Sequence, residues 1–149
     1  MFSFSKKSFE KMEGINPELE QLARTAISLT SVDFGISEGL RTIERQKKLV
    51  EQKRSQTLKS KHIDGKAIDV FAVIDGEICW EIGVYDDIAD AFALASRSLG
   101  TPLRWGAAWT VRDIGAWEGS MEDAMNSYID TRRGEGRRPF IDGPHFELM

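Results

Sequence analysis

The sequence predicts an α+β fold: a small, mainly antiparallel sheet packed with about three main helices. Three observations point there. Apolar residues recur at helical spacing in three separate stretches. Between two of them, Lys66 to Ile74 reads as a strand that the two-residue turn Asp75-Gly76 folds back onto Glu77–Trp80 as a hairpin. Helices mixed with hairpin strands in this way favour antiparallel pairing. The 149 residues, 41% of them hydrophobic, suffice for one domain, 1–149, with its own core.

Each element has a local reason. Asn16-Pro17-Glu18 is a helix start, with Asn as N-cap, Pro at the first helical position and an acid in the first turn. Leu19, Leu22, Ala23, Ala26 and Thr30 then follow at helical spacing, predicting a helix over 17–30. Val32 to Ile36 reads as a short strand. A second helix is expected over 42–53, with Ile43, Gln46, Leu49 and Val50 on one face and Glu44, Lys47, Lys48 and Glu51 on a solvated one. Ser55 to Gly65 is polar and reads as a loop. Tyr85 to Leu99 is the third helix, its inner stripe Ile88, Ala91, Phe92, Ala95 and Leu99, with Gly100 as its C-terminal cap. Pro102 to Trp105 should re-enter the sheet. Residues 110–139 read as an inserted, loop-rich segment with one short helix from the capping box Ser120-x-x-Asp123. Phe140 to Leu148 is a final strand or extended segment, with Phe146 and Leu148 expected on a buried side.

Composition excludes several classes of function. Asp plus Glu number 24 against 20 Lys plus Arg, a net charge of −4, so no nucleic acid is expected as partner. The single cysteine, Cys79, forbids an internal disulfide. No apolar run approaches a membrane span. The start, MFSFSKKSF, lacks the apolar stretch of a secretory signal, so the chain is expected in the cytoplasm as made.

Two histidines are present, each with an aspartate at a short offset: His62-x-x-Gly65-x-Ala67-x-Asp69 and Asp142-x-Pro144-His145. Asp69 lies among strand residues that are apolar on both sides, so both faces look buried. A lone carboxylate there needs a cation, a metal or several hydrogen bonds; an arginine partner would also serve. Gly65 lets the chain turn sharply, bringing His62 back over the strand start. His62 taken alone reads rather as one more polar loop residue after Ser60 and Lys61. Pro144 stiffens the approach to His145, whose plainer reading is a histidine bonded to backbone. Taken together, two imidazoles and one carboxylate make a three-ligand zinc site with a fourth position open. Asp142 would supply the general base that hydrolysis needs beside such a site.

Ser60-x-His62-x-x-Gly65-x-Ala67-x-Asp69, followed far downstream by Asp142-x-x-His145, resembles the zinc peptidases of the D-alanyl-D-alanine carboxypeptidase type. Among them it most resembles the bacteriophage endolysins that cut the L-alanyl-D-glutamate bond of peptidoglycan. Phe34 to Thr42 with Gln46 resembles the segment supplying that family's substrate-side arginine. Leu103-Arg104-Trp105-Gly106-Ala107-Ala108-Trp109 resembles its Trp-Gly-Gly-x-Trp stretch, departing from it at Ala107. The resemblance covers most of residues 15–109 and 140–148. It implies a Hedgehog/DD-peptidase-like fold and one Zn2+ per chain held by His62, Asp69 and His145. It implies Asp142 as general base and Arg41 as the cation that steadies the carbonyl oxygen. Ser60, Gln46, Trp105 and Trp109 are the further candidates for supporting the ligands or touching substrate.

The resemblance further implies the peptidoglycan peptide stem as partner, a monomeric enzyme, and residence in the host cytoplasm until a holin admits it to the periplasm and cell wall. The alternatives are a DD- or LD-carboxypeptidase of wall remodelling and a non-catalytic zinc module that binds wall peptides. Asp142 discriminates the last, since a binder has no use for a carboxylate there. The segment 110–139, with Trp117, Tyr128, Arg132, Arg133, Arg137 and Arg138, reads as a lid, a basic patch or a solvated loop.

Overall fold

A computed structural model describes residues 1–54 and 60–149 of the chain. The expected loop over 55–65 therefore lies partly outside the described residues. Five helices and five strands are seen among the described residues: α1 (Lys6–Lys11), α2 (Pro17–Leu29), β1 (Asp33–Glu38), α3 (Ile43–Glu51), β2 (Ala67–Ile74), β3 (Glu77–Cys79), α4 (Ile82–Leu99), β4 (Leu103–Trp105), α5 (Met121–Gly134) and β5 (His145–Leu148). All strand pairs are antiparallel, in the order β1-β2-β5-β4. β2 is the spine. One edge carries β1; the other carries β5 at residues 67–69 and β3 at residues 72–74.

The local signals work as the sequence predicts. The Asn16 side chain accepts from the Glu18 amide at the start of α2. Gly100 ends α4 in the left-handed region at φ 67°. Asp75 and Gly76 both have positive φ, 52° and 80°, as a tight hairpin requires. Leu19, Leu22, Ala23 and Ala26 of α2 and Ile88, Ala91, Phe92 and Ala95 of α4 are buried, and the two helices pack on each other. Phe92 stacks on Phe146 with ring centroids 4.1 Å apart, joining α4 to the sheet.

Four expectations need correction. Leu99 and Ile43 are exposed, because each lies at a helix end beyond the reach of the core. α1 is absent from the sequence reading: six residues show too little periodicity. It is held instead by tertiary contact, the buried Ser8 Oγ accepting from the Ile36 amide at 3.1 Å. The segment 110–139 is less loop-rich than expected, since α5 spans fourteen residues and buries Met121, Ala124 and Tyr128. The extended segment from Phe140 becomes a strand only at His145, where neighbours on both sides supply partners.

β5 is inserted between β2 and β4, with Phe146 and Leu148 buried, as expected. Deleting residues 146–149 should therefore lower the melting temperature and weaken metal binding, although every histidine and aspartate of the motifs remains. Each of the two apolar side chains is worth roughly 1.5–3 kcal/mol. Calorimetry and metal content check this; values equal to the full-length protein would contradict the inserted strand's role.

Candidate metal centre

Asp69 sits where the sheet becomes polar. Its partner across β1 is Glu38 and across β5 is His145, so three polar residues line up on adjacent strands. A break in register between Ile36 and Glu38 marks the same level. The expectation that both faces of β2 are buried is corrected here. Ile68, Val70 and Ala72 point into the core, while Asp69 and Phe71 alternate with them and are half-buried. Asp69 lines a cavity of about 660 Å³ together with Arg41, His62, Trp109, Asp142 and His145.

The turn that delivers His62 is built as Gly65 predicts. Gly65 has φ 69°, and its amide donates to the His62 carbonyl. The turn is pinned from outside by Arg41 N–H donating to the same carbonyl and Asn16 N–H donating to Gly65 O. His62 is buried, and its Nδ1 lies 2.8 Å from the Gly39 carbonyl. A carbonyl can only accept, so Nδ1 carries the proton and Nε2 is left as the free donor atom for a metal. Nε2 lies 3.3 Å from Asp69 Oδ2, yet it has no aligned hydrogen bond among the described residues. A bare, buried ring nitrogen facing a half-buried carboxylate oxygen is an arrangement that a cation between them would relieve.

His145 completes the cluster. Its Nδ1 lies 3.0 Å from Asp69 Oδ1 and its Nε2 2.9 Å from Glu147 Oε1. Burial alone would lower the imidazole pKa, but hydrogen bonds to Asp69 and Glu147 and the charges of Asp69 and Asp142 push it up to about 10. Burial would likewise raise the Asp69 carboxyl; the two imidazoles reverse this and hold it well below the usual carboxylate range. One atom from each of His62, Asp69 and His145 falls within 4.8 Å of the others, a set that fits a divalent metal.

Asp142 lies in the clamp that leads into β5. Its amide donates to Gly106 O and its carbonyl accepts from the His145 amide, while Pro144 O accepts from Val70 N–H. A Cβ on Gly106 would stand 2.2 Å from the Asp142 carbonyl, so only glycine allows this approach. Ala107, by contrast, is buried in the core, and the departure from glycine there leaves the clamp intact. Burial and the neighbouring Asp69 charge push the Asp142 carboxyl above its ordinary pKa.

Arg41 is buried and held on several sides. Nε donates to Glu38 Oε1 at 2.8 Å, Nη1 donates to Gln46 Oε1 at 2.6 Å, and Nη2 lies 3.6 Å from Asp69 Oδ2. Gln46 is thus an anchor for Arg41, and Ser60 Oγ lies 3.5 Å from Nη1 while accepting from the His62 amide. Trp109 lines the cavity against His145, ring centroids 5.7 Å apart. Trp105 does not reach the cavity. It is fully buried and its indole donates to Gly143 O at 2.7 Å, bracing the clamp from behind; its place in β4 turns it to the core.

Glu147 has a role that the sequence reading missed. Nearly buried, it receives Lys61 Nζ at 3.3 Å and fixes the outer nitrogen of His145. Burial would raise its carboxyl, but the His145 hydrogen bond holds it low. The available signal was the i, i+2 spacing of His145 and Glu147, which puts both on one face of a strand. A carboxylate on the outer nitrogen orients a metal-binding ring, and losing such a partner typically weakens metal affinity about 10–100-fold. Glu147→Ala is expected to do so in a chelator competition, with Glu147→Gln much closer to wild type. Equal affinities for Glu147→Ala and wild type would exclude this role.

Comparison with known proteins agrees with the geometry. The family model described as phage L-alanyl-D-glutamate peptidase matches residues 1–149. The chain is 34% identical over 152 residues to the L-alanyl-D-glutamate peptidase of Escherichia phage T5, covering 99% of this chain and 98% of that one. The crystal structure of the Serratia marcescens L-Ala D-Glu endopeptidase ChiX superposes with a TM-score of 0.73 at 32% identity, over 99% of this chain and 90% of that one.

Proposed function

The chain belongs to the phage L-alanyl-D-glutamate peptidase family, and from that premise we propose that it is a zinc-dependent peptidoglycan endopeptidase of the endolysin type, hydrolysing the L-alanyl-D-glutamate bond of the peptide stem. The observation that carries the reading is the His62–Asp69–His145 cluster opening on a cavity that also holds Asp142.

His62 would ligate through Nε2, Asp69 through a carboxylate oxygen and His145 through Nδ1. A bound zinc ion supplies Lewis acidity, bringing the pKa of a water to about 7 and polarising a carbonyl. Asp142 takes the proton of the attacking water and returns it to the leaving D-glutamate amine. Its raised pKa suits that exchange, because a base works best when its pKa lies nearer the working pH. Arg41, fixed by Glu38 and Gln46, brings a permanent positive charge to the Asp69 side of the cavity. There it steadies the oxygen on which negative charge develops.

No helix among the described residues is long and apolar enough to cross a membrane. The enzyme acts as a monomer on the wall, waiting in the host cytoplasm until a holin opens the inner membrane; membership of a phage family supports this placement.

The test is to digest purified peptidoglycan with the zinc-loaded protein and identify the new termini by mass spectrometry. A free D-Glu amine is expected. Released terminal D-Ala would instead make it a carboxypeptidase, and an unchanged wall would make it a binder.

A further inference from the structure

Phe140 is a large apolar side chain left 50% exposed, and it lines the metal cavity two residues before Asp142. Its backbone is nevertheless held on both sides by a single buried group. The Tyr128 hydroxyl accepts from Phe140 N–H at 2.9 Å and donates to Phe140 O at 3.1 Å. Tyr128 itself is 2% exposed on α5, with the Arg132 guanidinium 5.4 Å over its ring. A buried phenol spending both its hydrogen-bonding functions on one exposed residue fixes where that residue's ring is presented. Among the described residues the other apolar lining of the cavity is sparse: Leu49 is buried, and the half-buried Trp109 ring lies against His145. Among the described residues, Phe140 is thus the most exposed large apolar group lining the cavity, with area left for a ligand to cover.

Resting on the endopeptidase reading above, we propose that Phe140 is a substrate-contacting residue that packs against an apolar portion of the peptide stem, and that Tyr128 is its positioning residue. The segment 110–139 then contributes to the site through α5, a strut that holds one wall of the cavity.

The test is steady-state kinetics of the zinc-loaded full chain on a soluble peptidoglycan fragment carrying the stem peptide. Covering the exposed half of a phenylalanine is worth about a tenfold change in binding. Phe140→Ala should therefore raise KM about tenfold, leave kcat within about twofold and keep full metal content. Phe140→Leu should restore most of the loss. Tyr128→Phe, which keeps the ring and removes both hydrogen bonds, should raise KM in the same direction, and should add nothing to KM in a Phe140→Ala background. A merely structural role for Tyr128 would lower the melting temperature while leaving KM alone. If wild type cleaves the fragment and Phe140→Ala has wild-type KM, this inference is overturned while the peptidase reading stands. If metal-loaded wild type cleaves nothing, the peptidase reading is overturned and the inference with it.

Discussion

Asp142→Asn is expected to lower turnover by about 10²–10⁴-fold, the usual cost of removing a general base, while zinc content and melting temperature stay near wild type. Asparagine keeps the size and the backbone contacts to Gly106 and His145, so the clamp should survive. What it loses is the basic oxygen. The carboxyl is raised by burial and by Asp69, so the acid limb of the rate–pH profile should lie above the usual aspartate range. Single-turnover kinetics on a stem-peptide fragment would measure this. Near-normal turnover in Asp142→Asn would move the base elsewhere. Glu38 and Glu147, the other carboxylates lining the cavity beside Asp69, would be the next residues to test.

The second large effect is loss of the metal. Chelation should abolish activity, added zinc should restore it, and His62→Ala or His145→Ala should remove both metal and turnover. The pH dependence follows from His145. Without metal its pKa is about 10 against an ordinary 6.5, so its protonated form stabilises the fold fully below about 6.5, and that stabilisation is lost as pH rises toward 10. Asp69 is shifted the opposite way. It contributes above its ordinary 3.8, and its contribution is lost as pH falls below that value. The metal-free protein should therefore be most stable between about pH 4 and 6.5. Metal binding requires His145 without the Nδ1 proton, so the stabilisation added by zinc should grow with pH through neutrality. Melting temperatures with zinc and with chelator, compared from about pH 5 to 9 on either side of the ordinary histidine value, check both signs. A zinc increment that is flat with pH would argue against ligation by His145.

Much of the site was legible because its residues are tied to short-range rules. Gly65 had to turn, Pro144 had to stiffen, and the offsets of His62 and His145 from their aspartates are covalent facts of the chain. A carboxylate in the middle of an apolar strand demanded a partner whatever the fold. The helix caps at Asn16 and Ser120 and the Asp75-Gly76 hairpin were equally local, and all three form as read.

The rest depended on partners distant in sequence. That His145 faces Asp69 is a matter of strand register over 76 residues, and nothing in either segment specifies it. Gln46 looked like a helix-face residue; only the fold brings its carbonyl to Arg41. Trp105 and Trp109 read alike in sequence, yet the first turns to the core and the second to the cavity. Glu147 carried no role in the sequence, and became the support of His145 only once β5 was seen to insert between β2 and β4. Tyr128 and Phe140 meet because α5 packs beside the clamp. The sequence by itself determined which chemistry the chain carries, since residue types and local turns are set by covalent neighbours. The tertiary structure alone decided which imidazole nitrogens face Asp69, which rings line the cavity and which carboxylate stands behind His145, because those depend on pairing and packing between segments that the chain keeps far apart.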